Sequence, residues 1–159
     1  MATPFDVFFE QFLLIIDDSR FVTNYTPNEL AMELSKYLYR SIGICGDYLY
    51  IDLNSYTPTT VDDNDILSIG EFADSFIMQE ITFVARGMVI PYLEFQLQKN
   101  KHLNQIVYGK NYLVHSQANH IKENRETVNN AKNSLIQDMI MYTYHKDPNN
   151  LQGSSGGSI

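Results

Sequence analysis

Three groups of residues in this chain have types and spacings that could carry chemistry. The acidic run Asp62, Asp63, Asn64, Asp65 has the oxygen donors of a calcium loop. Such a loop also needs a glycine at its sixth position for the sharp turn and a closing glutamate at its twelfth, and no register of this run supplies both. A solvated or helix-capping turn is the expectation. His115 and His120 are five residues apart, whereas two histidines that share a zinc from one helix face stand four apart around a glutamate. His120 with Glu123 reverses the Glu-to-His order of di-iron bundles, and no matching pair stands on another helical segment. Cys45 lies between Gly43 and Gly46 with no histidine near it in sequence, and no serine occupies a Gly-x-Ser-x-Gly elbow. Neither a phosphate-cradling glycine loop nor a dinucleotide fingerprint is present. A triad assembled only in space would make the chain a small hydrolase, but the residues point to no catalytic, metal-ligating or cofactor-binding site.

Composition narrows the partners. A length of 159 residues fits one compact domain, residues 1–147, followed by a Gly/Ser-rich tail at 148–159, expected to be flexible. The formal charge of −8 and pI near 4.8 argue against binding nucleic acid by neutralising its phosphates, which takes clustered Lys and Arg. A single cysteine cannot close an intrachain disulfide, so a reducing cytosol is the expected place of synthesis. The apolar run Phe8, Phe9, Phe12, Leu13, Leu14, Ile15, Ile16 is interrupted by Glu10 and Gln11 and is too short for a bilayer. It reads as an amphipathic helix, with no membrane partner. Eleven Tyr and nine Phe with no Trp supply large apolar surfaces suited to cores and subunit interfaces.

The elements follow from spacing and punctuation. Thr3, Pro4 and Asp6 predict a helix start, with Thr3 as cap. Thr26, Pro27 and Glu29 repeat that grammar as a full capping box, predicting a helix to about Ser41 that Gly43 and Gly46 stop. Its buried stripe is Leu30, Leu34, Tyr37, Leu38 and Ile42, with Glu29, Glu33, Lys36 and Arg40 along the wet side. Period-two alternation of Tyr48, Tyr50, Asp52 against Leu49, Ile51, Leu53 predicts a short strand or extended arm. Its pairing is open between a second strand near Thr59 to Val61 and another subunit. Ser68 and Glu71 then predict a weaker capping box ahead of a helix over Phe76 to Gln98. That helix carries an apolar stripe of Ile77, Ile81, Val84, Met88, Tyr92 and Phe95. Pro91 falls inside it, removing a hydrogen bond and crowding the preceding turn at a cost of about 3 kcal/mol, so a kink or a break is expected near Gly87 to Pro91. After a turn at Gly109, Ser116 is expected to cap a last long helix ending near Lys146, with stripe Val114, Ala118, Ile121, Val128, Leu135, Met139 and Tyr142. The fold expected is mainly α, a helical bundle with long helices and a short β-arm or extended loop.

Within the two long helices, Arg86-Gly87-Met88-Val89-Ile90-Pro91-Tyr92-Leu93, then Tyr112, then Ser116-Gln117-Ala118-Asn119-His120-Ile121-Lys122, and finally Tyr142-Thr143-Tyr144 form a pattern that resembles the small neck proteins of tailed bacteriophages. It covers about residues 65 to 146. Pro91 departs from the pattern, which has a helix-favouring residue there. The resemblance implies a head-tail adaptor or connector, a non-enzymatic virion protein made in the host cytoplasm. Such a protein forms a ring with copies of itself, usually a dodecamer, between the portal protein and the tail or a second neck protein, and DNA passes through. Partner contacts are then expected from the arm and the tail, at Tyr48, Tyr50, Tyr56, Leu151 and Ile159. A small helical protein-binding regulator encoded by a phage is the alternative reading of the same acidic, aromatic-rich chain.

Lys36, Arg40, Arg86, Lys99, Lys101, Lys110, Lys122, Arg125 and Lys132 do not form one run. The purified chain should therefore show no measurable binding to a short duplex by fluorescence anisotropy at about 0.15 M salt, where surface charges are screened over about 8 Å. Tight, salt-sensitive binding would contradict the reading of a conduit that does not hold its cargo.

Overall fold

The computed structural model describes residues 2–49, 51–107 and 114–146. In chain order these form β1 (Thr3–Pro4), α1 (Phe5–Ile16), α2 (Ser19–Thr23), α3 (Pro27–Cys45), β2 (Tyr56–Thr57), β3 (Thr60–Val61), β4 (Leu67–Ser68), β5 (Glu71–Phe72), α4 (Met78–Val107) and α5 (Val114–Lys146). The protein is mostly helical with small antiparallel sheets. β5 lies between β1 and β2, and β3 pairs with β4. α4 is the central helix, packed against α1, α3 and α5.

Local signals account for several boundaries. At the start of α3 the Thr26 hydroxyl accepts from the Glu29 amide while the Glu29 carboxylate accepts from the Thr26 amide at 2.9 Å, the reciprocal box expected from the sequence. These bonds hold the Glu29 carboxyl below its usual range, the Thr26 amide first and its hydroxyl second. α1 closes on Asp17, whose left-handed backbone (φ 46°) lets its amide donate to the Leu13 carbonyl at 3.2 Å. Leu34, Tyr37, Leu38 and Ile42 are buried along α3 with Leu30 beside them, and Val128, Leu135 and Met139 are buried along α5.

The core divides into two aromatic groups. Near the sheet, Phe72 has Phe5, Phe76 and Phe8 at ring distances of 4.9, 5.0 and 5.2 Å. Further along, Phe12 and Phe21 meet Tyr92 edge-on at 5.8 and 5.5 Å, and the Tyr92 hydroxyl donates to Asp18 Oδ2 at 2.8 Å. Edge-to-face geometry sets the positive rim of one ring against the negative face of the next. Burial and the neighbouring carboxylate push the Tyr92 phenol up to about 12.

α3 crosses α4 at closest approach around Gly87. A Cβ built there would lie 2.2 Å from Ser41 Oγ and 3.0 Å from Cys45 Sγ. Because there is none, Ser41 donates to the Val84 carbonyl at 2.6 Å and Cys45 Sγ reaches the Phe83 carbonyl at 3.8 Å.

Several sequence expectations change. Thr3 does not cap α1. It lies in β1, donates to the Asp74 carbonyl at 2.9 Å and accepts from the Phe76 amide at 3.1 Å, so its hydroxyl holds the approach to α4. Ser68 and Glu71 are strand residues, and the Glu71 amide donates to Thr57 Oγ1 at 3.2 Å. The described residues at 46–49 and 51–53 form turns and bends, with no strand among them, and Leu49 and Leu53 are both buried. The arm instead places its strands at Tyr56–Thr57 and Thr60–Val61, and the latter pairs with Leu67–Ser68. α4 runs without a break through Gly87 to Pro91, with Pro91 fully buried, so of the kink or break expected there the break does not occur, and burial among α4's neighbours offsets the lost bond. α3 passes Gly43 and ends at Cys45, with Gly46 as its cap, and Ser116 lies within α5. The turn at Gly109 and the tail at 148–159 lie outside the described residues.

Two glycine substitutions should move stability in opposite directions. Gly87→Ala forces α3 and α4 apart or ejects Ser41 from its bond, and is expected to cost about 1–3 kcal/mol as overpacking. Gly43→Ala sits in an exposed helical position with nothing within 4 Å of the new carbon and should stabilise by about 0.5–1 kcal/mol. Urea unfolding midpoints of the two variants measure both; equal effects would contradict the close approach.

Candidate functional site

A groove of about 770 Å³ lies between the first turns of α4 and the last turns of α5. Ile77 and Gln79 enter from the start of α4, Phe83 lies one turn further on, and Asp138, Met141 and His145 follow each other along one flank of α5. The Phe83 and Tyr142 rings meet edge-on at 5.4 Å beneath it. Asp138 Oδ2 pairs with Arg86 Nη1 at 2.7 Å across the helix seam. Past that pair a smaller recess lies between Ile15, Val89, Ala131 and Ser134.

Glu80 organises the floor. Its side chain is almost wholly buried and takes three donors: the Ile77 amide at 3.1 Å, the Tyr142 hydroxyl at 2.7 Å and Lys146 Nζ at 2.8 Å. The amide bond caps α4, because Ile77 sits at the helix entry and its N–H has no carbonyl behind it. Burial pushes the Glu80 carboxyl upward, but the bonds from Lys146, Tyr142 and Ile77 and the ammonium charge outweigh it and hold the group below its usual range. Glu80 and Tyr142 in turn hold the Lys146 ammonium above its usual range, while burial and then Glu80 raise the Tyr142 phenol. A carboxylate kept charged and saturated with donors is a poor proton acceptor. The cluster fixes the end of α5 on the start of α4 and shapes a groove; it positions rather than transfers.

Two of the other candidate groups, Cys45 and the acidic run, are held in structural roles, while the side chains of His115, His120 and Glu123 lie outside the described residues. The Cys45 thiol is fully buried and burial pushes it up to about 11, with Ser41 beside it, so little thiolate forms near neutrality. Asp62 Oδ1 accepts from the Asn64 and Ile66 amides at 2.9 and 2.8 Å, using the run's first carboxylate as a turn former. Among the described residues no group of three or more His, Cys, Asp and Glu converges as a metal site would. His145 Nδ1 lies 2.6 Å from the Met141 carbonyl.

Of the residues expected to meet partners, Tyr48 and Tyr56 are among the described ones. Tyr56 sits on edge strand β2, partly exposed, and stacks on Tyr39 at 5.4 Å. Tyr48 is half-buried against the core. Tyr50, Leu151 and Ile159 lie outside the described residues. The groove residues were only partly visible in the sequence: the α4 stripe expected Ile77 and Phe95 to be buried, yet they are 53% and 42% exposed. Met141 and His145 had no sequence signal beyond lying beside the α5 stripe.

Comparison with family models, with curated proteins and with solved structures finds no match to this chain.

Lys146→Met tests the floor. Glu80 has a lowered folded value, so its contribution is present above the ordinary carboxylate value and is lost as pH falls through the folded one. Removing the ammonium raises that folded value, and the acid-unfolding midpoint should move to higher pH. At pH 7 the loss should be about 1 kcal/mol, kept small because Lys146 is half-exposed. Circular dichroism against pH reads both, and an unchanged acid limb would show that Lys146 does not hold Glu80.

Proposed function

We propose that this chain is a structural, non-enzymatic virion protein: a head-tail adaptor in the neck of a tailed phage. In this reading it forms a homo-oligomeric ring, dodecameric as in the neck proteins it resembles, between the portal protein and the tail or a second neck protein, and DNA passes through the ring. The observation that carries the reading is that two distant parts of the resemblance pattern belong to one helical pair. Arg86 to Leu93 lies on central helix α4, Tyr142 to Tyr144 on α5, and the Arg86–Asp138 and Glu80–Lys146 pairs bind those helices together.

Two further properties support it. Ile77, Met78, Ile140, Met141 and Tyr144 are exposed around the junction of that pair, a concentration of apolar side chains suited to burial against a neighbour. The net charge of −8 repels a duplex at short range, which suits a passage through which DNA must slide. No described helix is long and apolar enough to cross a membrane.

In a phage that encodes this chain, a nonsense mutation in its gene should yield DNA-filled heads without tails, seen by negative-stain microscopy. Purified chain added to portal protein should appear as a ring at the portal's base. Normal tailed, infectious particles from the mutant would overturn the proposal, and a discrete complex with a host protein would favour the regulator.

A further inference from the structure

Two exposed apolar features of this chain lie at opposite ends of the molecule and are complementary in charge. One is the tip of the β3–β4 hairpin. Ile66 is 62% exposed there, with exposed Asp62, Asp63 and Asp65 around it and Ile69 partly exposed beyond. The tip is held in shape: the Asp65 amide donates to the Asp62 carbonyl at 3.0 Å, Asp65 has a left-handed backbone (φ 62°), and Asn28 Nδ2 donates to both Asp65 Oδ1 and its carbonyl at 2.9 and 3.0 Å. The other feature is the groove of Ile77, Phe83 and Met141, with Met141 57% exposed.

Charge distinguishes this groove from the rest of an acidic chain. Its carboxylates are each paired with a cation, Asp138 with Arg86 and Glu80 with Lys146. The amino end of α4 adds a partial positive charge. An acidic apolar knob therefore meets balanced to positive surroundings there.

The knob cannot fill the groove of its own chain. Asn28, which holds the tip, and Cys45, whose sulfur meets the carbonyl of groove residue Phe83, belong to the same helix α3. Seventeen steps of about 1.5 Å separate them, about 25 Å. Each copy thus presents one knob and one groove on different ends, which is the geometry of a heterologous, head-to-tail contact. We infer that the groove between α4 and α5 receives the Ile66 hairpin tip of a second copy of this chain. The inference rests on the reading of the chain as a self-assembling adaptor and assigns the surfaces through which adjacent copies meet. The tip enters already shaped, so little ordering entropy opposes the contact.

A mixing experiment on the full chain tests it. Ile66→Lys removes the knob and Met141→Glu blocks the groove and adds a negative charge to it, and both positions are exposed enough to leave the core intact, which far-UV circular dichroism checks. By sedimentation at high concentration the natural chain should exceed the 18.3 kDa of one copy. Each variant alone should remain at that mass, and an equimolar mixture should recombine into a species of two chains, since one variant keeps its groove and the other its knob. Variants that assemble like the natural chain, or a mixture that stays monomeric beside a natural chain that assembles, would overturn the inference.

Should the natural chain itself sediment as one copy, Ile66→Cys and Met141→Cys preparations, mixed and treated with a bismaleimide, decide the matter. A 66-to-141 crosslink between chains in excess of 66-to-66 and 141-to-141 supports the contact, and its absence overturns it. The outcome separates from that of the adaptor reading. A crosslink with normal tailed particles from the nonsense mutant leaves the contact standing and removes the adaptor. Tailless particles without the crosslink do the reverse.

Discussion

The close passage of α3 over α4 at Gly87 is the constraint from which the rest of the arrangement follows. With no side chain on Gly87, the Ser41 hydroxyl approaches the α4 backbone closely enough to give its hydrogen to the Val84 carbonyl. A buried hydroxyl without such an acceptor would be costly, so the bond fixes both the separation of the helices and their register. That register sets Cys45 against Phe83 and Tyr37 against Tyr92, which makes the two helices antiparallel. It also leaves the far side of α4 for α1 and α5. The start of α4, where Glu80 and the groove lie, is thereby brought to the carboxyl end of α3, away from Asn28 and the hairpin.

Around this crossing the molecule uses aromatic mass where a longer chain would use more strands or helices. The sheets consist of two-residue strands, too short to be stable by their own ladders. They are held by hydroxyls and rings: the Gly70 amide donates to Thr59 Oγ1 at 3.1 Å, Ser35 donates to the same oxygen at 2.8 Å, and Phe5 packs over Phe72. A Cβ on Gly70 would fall 2.6 Å from the Phe5 ring and 2.3 Å from the Thr57 carbonyl, so the chain can pass beneath Phe5 only as glycine. The arm is therefore part of the core on one side and presents its acidic tip on the other.

What was legible in the sequence was what short-range chemistry determines. The box of Thr26 and Glu29 closes over three residues and appeared as read; the buried positions Val128, Leu135 and Met139 follow from helical spacing alone. What was not legible depends on distant partners. Thr3 reads as a cap because its neighbours are Pro4 and Asp6, yet its hydroxyl is claimed by Asp74 and Phe76, more than seventy positions away. Leu49, Ile51 and Leu53 alternate like a strand, but a pair of turns buries the first and last of them equally well. The groove was hidden for the same reason: Glu80 and Lys146 are separated by 66 positions, and periodicity carries no record of which helix end meets which. The break expected at Pro91 does not occur, since the proline's cost is local while the packing that offsets it comes from other helices.

The Glu80–Lys146 junction also bears on the order in which the molecule can be made. Helices form in about a microsecond or less from local contacts, whereas joining residues far apart must first overcome the entropy of the intervening loop. On the ribosome α1, α3 and α4 emerge and can dock before the last turn of α5 exists. Until Lys146 and Tyr142 arrive, Glu80 keeps its bond to the Ile77 amide and is otherwise left to water. The groove is thus the last part of the described structure to be completed. Synthesis itself leaves the floor under Glu80 open until α1, α3 and α4 have had time to dock.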